Sequence, residues 1–299
     1  GLQHIKRLFK SIKEKTLYMN FEIIVVDNAS IDDTVKFLEE NIYNFDLKII
    51  KNSKNESFSY ANNQAANMAR GEYLLLLNND IEPLKCWLSH LVNTMQTQSN
   101  VGSIGSQLIY PYSDKEPFSL TVQHSGIAFR FDYIEELKLE FFRPYNLGMG
   151  KKAIVKNAVP AIGQRVAVTA ACLLVKKEVF FEVDGLDENY NYGYEDVDFG
   201  LKLHKAGYSN YYCQNSILFH YESSTQKLES QKNIKGRRID NINLLHSKWH
   251  DYIKEHFFFE KFKNRTGLFS EKKLKIAFAV TEAGEDAVAG DYFTALELA

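Results

Sequence analysis

Phe21-Glu22-Ile23-Ile24-Val25-Val26 runs straight into Asp27, and Tyr73 followed by four leucines runs straight into Asn78-Asn79-Asp80. Apolar runs of this length read as strands buried on both faces. A third run, Leu47-Lys48-Ile49-Ile50, lies between them. Helical patterns separate the three. Ile5, Leu8, Phe9 and Ile12 share a face ahead of the first run, and Ser30-Ile31-Asp32-Asp33 opens a helix reaching about Asn41. Tyr60 to Ala69 forms a further helix stopped by Gly71, and Pro83 to Met95 reads as the next, with proline near its start. This alternation predicts an α/β fold whose mostly parallel central sheet is flanked by helices. Ligands of such sheets lie beyond the carboxyl ends of the strands, which is where Asp27, Asn79 and Asp80 fall.

The chain has 299 residues, 45% of them hydrophobic, enough for one large domain plus an appendage. A formal net charge of −2 leaves no global field for nucleic acid. Cys86, Cys172 and Cys213 are far apart, odd in number and without C-x-x-C spacing, so reduced thiols and a cytoplasmic setting are expected. No apolar run approaches the roughly 20 residues that span a bilayer. The chain starts at Gly1 and ends inside a helix-like pattern, which reads as cut at both ends.

Residues 110–165 carry aromatics and turn formers with no clean period and read as an irregular insertion. Val166 to Lys176 is strand-like and Phe180 to Tyr194 turn-rich; Val197, Leu201 and His204 share a helical face that Gly207 ends. Ser216 to Phe219 is a last strand closed by His220. Lys227 to Lys263 is charged and mostly helical. Leu274 to Val280 reads as a fresh strand, followed by a loop with Gly284 and Gly290 and a helix from Tyr292 to Ala299.

Several of these positions suit chemistry, each with a plainer alternative. Asp80, beside two amides at a strand end, suits a divalent cation, and equally suits capping the Pro83 helix. Asp27 suits a base or ribose, or a cap on the turn before Ser30. Glu195, Asp196 and Asp198 put three acids within four residues at a helix start: a fixed catalytic base, or first-turn charge. A helix N-terminus should depress their pKa, so desolvation would have to compensate for a base to work. His220 suits Mn²⁺ alongside a carboxylate, or a structural hydrogen bond.

The order of motifs resembles that of the family 2 glycosyltransferases, polysaccharide and O-antigen branch. Asp27-Asn28-Ala29-Ser30 with Asp32-Asp33-Thr34, then Phe58-Ser59-Tyr60-Ala61-Asn62-Asn63, then Ala69-Arg70-Gly71-Glu72-Tyr73-Leu74 are similar to successive segments of that family. Asn78-Asn79-Asp80 sits where the family keeps its D-x-D-type metal motif. Val122-Gln123-His124-Ser125-Gly126, Thr169 to Val175, Gly185-Leu186-Asp187-Glu188, Glu195-Asp196-Val197-Asp198-Phe199 and Leu218-Phe219-His220-Tyr221-Glu222-Ser223 follow in order.

The resemblance implies a GT-A (nucleotide-diphospho-sugar transferase) fold over 1–226 and an inverting transfer from a UDP- or dTDP-sugar to a glycan or lipid-linked acceptor. It implies Asp27, Asn28 and Asn63 at the nucleoside, and Asn79 and Asp80 at the diphosphate. It further implies Asp80 and His220 on Mn²⁺ or Mg²⁺, and Asp196 as base beside Glu195. Peripheral contact with the inner face of the membrane is compatible with such an acceptor. Two departures stand out: the metal motif has one carboxylate, and the family's first strand is expected before Gly1 and so is missing here. Residues 227–270 then form a helical linker. Residues 271–299 resemble the truncated start of a second, GT-B-type glycosyltransferase domain, whose remainder would be a partner. A catalytically inactive glycan- or nucleotide-binding module and a sugar-nucleotide pyrophosphorylase are the alternatives. The latter wants a Gly-rich basic loop after the first strand.

Overall fold

The computed structural model describes residues 1–259 except 42–44, 115–118, 153–161, 192 and 222–230, with backbone alone for 136, 231–237 and 258–259. The chain divides into two units, Gly1–His250 and Asp251–Ala299. The expected strand at Leu274 to Val280, its glycine loop and the helix at Tyr292 lie outside the described residues, as does the Glu222-Ser223 end of the last motif. In the second unit, 251–259 are helical.

The alternation expected for the first eighty residues is present: α1 (Leu2–Lys15), β1 (Ile23–Asn28), α2 (Thr34–Glu40), β2 (Leu47–Asn52), α3 (Phe58–Met68) and β3 (Tyr73–Leu77). The α1 face of Ile5, Leu8, Phe9 and Ile12 is buried with Leu38 and Leu47, and Val25 of β1 and Leu77 of β3 pack at its rim. Each such side chain contributes roughly 1.5–3 kcal/mol by leaving water.

The sheet, however, is mixed where a mostly parallel one was expected. β1 and β2 form their own parallel ladder, Val25 opposite Ile49. A seven-stranded sheet runs in the order β3, β10 (Cys172–Lys176), β5 (Val101–Ile109), β11 (Ser209–His220), β4 (Ile81–Pro83), with β6 (Val122–His124) on β5 and β9 (Ile162–Arg165) on β11. Only its β5–β11 pairing is parallel. The connections dictate this. A parallel return needs a crossover of a dozen or more residues, and β4 follows β3 after only Asn78, Asn79 and Asp80. It therefore leaves β3 altogether and pairs antiparallel with β11, His220 opposite Ile81. Among the described strands, β1 pairs only with β2 and β3 only with β10, so each keeps one edge without a strand partner.

Two further expectations are corrected. Pro83 ends β4 rather than opening a helix; α4 (Trp87–Thr97) starts at Trp87, so Asp80 does not cap it. The stretch 110–165 is largely β: β7 (Ile127–Ile134) and β8 (Leu139–Asn146) form an eight-pair antiparallel hairpin. Its inward and outward residues do not alternate by hydrophobicity, because Phe131 and Tyr133 are exposed on it while Phe141 and Phe142 are buried. Every residue of β5 is buried. There the backbone of Gly105 lies against Val168, whose Cβ is 2.5 Å from where a Cβ on Gly105 would stand.

Candidate active site

Three chain segments meet at the Asp80 turn. The Asn78 N–H donates to the Ala171 carbonyl at 3.0 Å, tying the turn to the residue before β10. The Tyr221 N–H donates to the Asp80 carbonyl at 2.9 Å, tying it to the exit of β11. These bonds and the β4–β11 register set Asp80 beside His220, with Asp80 Oδ1 3.2 Å from His220 Nε2. Oδ1 is buried, and with the ring hydrogen on Nδ1 it has no hydrogen-bond partner.

The other ring nitrogen is committed. His220 Nδ1 lies 2.7 Å from Gln123 Oε1. An amide oxygen only accepts, so Nδ1 carries a hydrogen, and in the neutral tautomer the Nε2 lone pair then faces a carboxylate oxygen. Facing a carboxylate oxygen, Nε2 needs either a second ring proton or a cation between or beside the two atoms. Burial pushes the Asp80 carboxyl up, yet the His220 ring more than offsets this and holds it below the usual range. A buried, unbonded carboxylate oxygen converging with an imidazole nitrogen held in one tautomer by an amide is a donor set that fits Mn²⁺ or Mg²⁺. No group of three or more metal-binding side chains occurs among the described residues, so further ligands would have to come from outside the protein.

Next to Gln123, His124 connects this pair to the acids. Its Nε2 accepts from the Thr169 N–H at 3.2 Å and its Nδ1 faces Asn146 Oδ1 at 2.9 Å, which fixes a neutral tautomer. Burial lowers its pKa to about 4. The following N–H, that of Ala170, donates to Asp196 Oδ2 at 3.3 Å. A continuous run of contacts therefore joins Asp80, His220, Gln123, His124, the 169–170 backbone and Asp196.

After the short α5 (Lys177–Glu182), the three acids occupy three different environments at the start of α6 (Glu195–Lys205). Asp196 takes hydrogen bonds from Ala170 and, at 2.8 Å, from the Val197 N–H. Burial nonetheless raises its pKa against those bonds. Glu195 Oε2 is buried without a hydrogen-bond partner. Burial first, then the Asp196 charge, push Glu195 up to about 8. Desolvation therefore overrides the helix N-terminus, the compensation a base at this position requires. Asp198 is fully buried and accepts from Trp249 Nε1 at 2.7 Å and from the Lys248 ammonium, so it is a structural acid.

The raised Glu195 has a consequence for stability. A carboxyl whose folded pKa exceeds its unfolded value of 4.5 stabilises the fold fully below pH 4.5 and loses that contribution as pH rises through about 8. Glu195→Gln is expected to melt higher than the parent protein, by a margin that widens between pH 4.5 and 8. Calorimetric melts across that range check it; a constant margin sinks the idea.

The remaining expected site residues lie as follows. Asp27, buried at the end of β1, accepts from the Ser30 N–H at 3.2 Å, which is the turn cap. Asn28 joins strand ends, its Oδ1 accepting from Asn52 at 2.8 Å and its Nδ2 donating to the Glu56 carbonyl at 3.2 Å. Asn79 is exposed at the turn. Asn63 uses both ends of its amide on the 186–188 turn: Nδ2 donates to the Leu186 carbonyl at 2.8 Å and to Glu188 at 2.9 Å, and Oδ1 accepts from the Leu186 N–H at 3.0 Å. Gln123, His124 and Thr169 join the site beyond the residues the sequence points to, and the Gln123-His124-Ser125-Gly126 segment is their signal in the sequence.

A mixed sheet with helices outside it carries an Asp–His pair at one group of strand ends, linked through Gln123 and His124 to a buried carboxylate pair, on a fold of GT-A form. The model of the family "Glycosyl transferase family 2" matches residues 2–157, and the chain belongs to that family. An uncharacterised protein, y4gI, of Sinorhizobium fredii is 30% identical over 258 residues, covering 84% of this chain and 27% of its own. The O-antigen biosynthesis protein RfbC of Myxococcus xanthus is 30% identical over 234 residues, covering 76% of this chain and 17% of its own. The chain thus spans about a quarter or less of these relatives. Among solved structures, GalNAc-T7 with UDP, GalNAc and Mn²⁺ shares the fold at a TM-score of 0.59 and 16% identity, over 90% of this chain and 50% of that one. S. aureus TarS 1-349 with UDP-GlcNAc does so at 0.51 and 16%, over 81% and 63%.

Proposed function

We propose that this chain transfers a sugar, with inversion, from a nucleoside diphosphate donor to a hydroxyl of a glycan or lipid-linked acceptor. The observation that carries the reading is the buried, unbonded Asp80 oxygen facing His220 Nε2, joined through Gln123 and His124 to the Glu195–Asp196 pair. Asp80 and His220 hold the divalent cation, Mn²⁺ or Mg²⁺. When bound, that ion supplies Lewis-acid stabilisation of the departing diphosphate.

Asp196 accepts the acceptor hydroxyl's proton while that oxygen attacks the anomeric carbon from the face opposite the diphosphate. One bond forms as the glycosyl–phosphate bond breaks, so configuration inverts, as in single-displacement glycosidases. Glu195, pushed up to about 8, keeps a proton near neutrality and so spares Asp196 a second adjacent charge. Asp27, Asn28, Asn63 and Asn79 line the nucleotide end; Asn63 also bonds the 186–188 turn. The β7–β8 hairpin flanks the acceptor side, its Phe141 ring 6.3 Å from that of Tyr194.

UDP or dTDP as carrier, a cytoplasmic site at the inner membrane face, and a second glycosyltransferase domain beyond this chain complete the proposal. RfbC's role in O-antigen biosynthesis supports a polysaccharide acceptor. No described helix is long and apolar enough to cross a membrane.

A melting screen with UDP, dTDP and GDP, each with and without Mn²⁺, tests the reading. A ligand at 100 times its Kd adds about 2.7 kcal/mol to the folded state. At least one nucleotide is expected to raise the melting temperature only with metal. If none does, the reading fails.

A further inference from the structure

The segment bearing the carboxylate pair is not held by its own element alone. Gly193 and Tyr194 both have left-handed backbones, φ +85° and +73°. For tyrosine that conformation is unfavourable, and Tyr194 offers α6 no side-chain cap. Something outside must keep the turn in place.

Helix α7 (Gln231–Ile253) meets it at two points. Ahead of the acids, the buried Asn241 spans the turn: Oδ1 accepts from the Asn191 N–H at 3.3 Å and Nδ2 donates to the Gly193 carbonyl at 2.9 Å. Behind them, about two helical turns further along α7, Trp249 Nε1 and the Lys248 ammonium bond Asp198, and Lys248 reaches Asp187 at 2.7 Å. Tyr190 adds a hydroxyl to Asp198 at 3.3 Å. Ile242, Leu245 and Trp249 are buried, so both polar contacts rest on an anchored helix face.

We propose that α7 is a brace that fixes the aim of Glu195 and Asp196, with Asn241 and Trp249 as positioning residues. It rests on the reading of those acids as catalytic, but the brace itself is a statement about geometry. Asn241 sets the backbone just before the pair and Asp198 sets the helix just after it. The two carboxylates are held between fixed points, and neither brace residue needs to touch substrate. The same polypeptide that leaves β11 after His220 leads on to α7, so one segment of chain serves both halves of the site.

The test uses the full chain and two variants: Asn241→Ala, and Trp249→Phe, which keeps an aromatic ring but removes the N–H donor. Hydrogen exchange of amides in 190–199 is expected to speed up about tenfold or more in each, while exchange across β3 and β10 stays within about twofold. In ¹³C-carboxyl NMR, the titration near 8 should move down toward the ordinary carboxylate range as water reaches Glu195. UDP affinity with Mn²⁺, by calorimetry, should hold within about twofold, since no brace residue contacts Asp80 or His220. Unchanged exchange in 190–199, or faster exchange throughout the unit, overturns the brace. If none of UDP, dTDP and GDP binds even the parent protein, the proposed activity falls while the exchange and NMR results still judge the brace.

Discussion

Asp196→Asn is expected to abolish sugar transfer while leaving nucleotide affinity nearly unchanged. Loss of a general base costs at least ~100-fold in rate, about 2.7 kcal/mol of transition-state stabilisation. The geometry explains why affinity survives. Asp196 lies at the start of α6 and bonds the Ala170 and Val197 amides, whereas the proposed cation pair is Asp80 and His220. The fold should not suffer either. Burial raises the Asp196 carboxyl, so its stabilising effect is complete below its unfolded value of 3.8 and declines as pH rises through the folded value. An uncharged amide escapes that penalty and can keep one of the two acceptor bonds. A melting temperature at neutral pH equal to or above the parent's, with transfer lost, is the signature of a site held at a cost in stability. Turnover within a few-fold of the parent would move the role to Glu195. Asp198 is no candidate, because Trp249, Lys248 and Tyr190 enclose it.

Local pattern carried the first eighty residues. The face of Ile5, Leu8, Phe9 and Ile12, the β-branched run into Asp27 and the leucines before Asn78 all became the elements their spacing implies. It carried less once pairing became non-local. β5 was not recognised, because Gly102, Ser103, Gly105, Ser106 and Gln107 make it read as polar loop. Its burial depends on partners far along the chain: Ser103 bonds Asn210 at 2.8 Å and Ser106 meets Ser216 at 2.8 Å. The parallel sheet expected from strand–helix alternation failed at β4 for a similar reason, since a three-residue turn decides strand direction more firmly than the pattern either side of it. In the site, residue types at strand ends were legible, but their connections were not. Nothing local in Gln123 says that it fixes the His220 tautomer, and nothing local in Asn63, placed at the nucleoside by resemblance, says that its amide also bonds Leu186.

His220→Ala should remove most metal-dependent nucleotide binding. In the parent protein Nδ1 is held by Gln123 at 2.7 Å, and Nε2 points at Asp80 Oδ1, 3.2 Å away. Removing the imidazole deletes one of two protein donors and leaves the Asp80 oxygen with no cation-binding partner. Altering even an outer partner of a metal ligand typically costs 10–100-fold in affinity, so loss of the ligand itself should cost about 100-fold or more in Mn²⁺-dependent UDP affinity. The residual, metal-independent affinity for UDP should be the same in variant and parent. A chelator provides the internal control: it should reduce the parent's affinity to the variant's level and leave the variant unmoved. Gln123→Ala should fall between the two, because the ring remains but its tautomer and orientation are no longer fixed. Its fold should be weakened by roughly 1–3 kcal/mol through the donor left unpaired on Nδ1. An unaltered Mn²⁺ dependence in His220→Ala would mean that the ring serves only to bond Gln123, and that Asp80 holds the cation with ligands from the nucleotide alone.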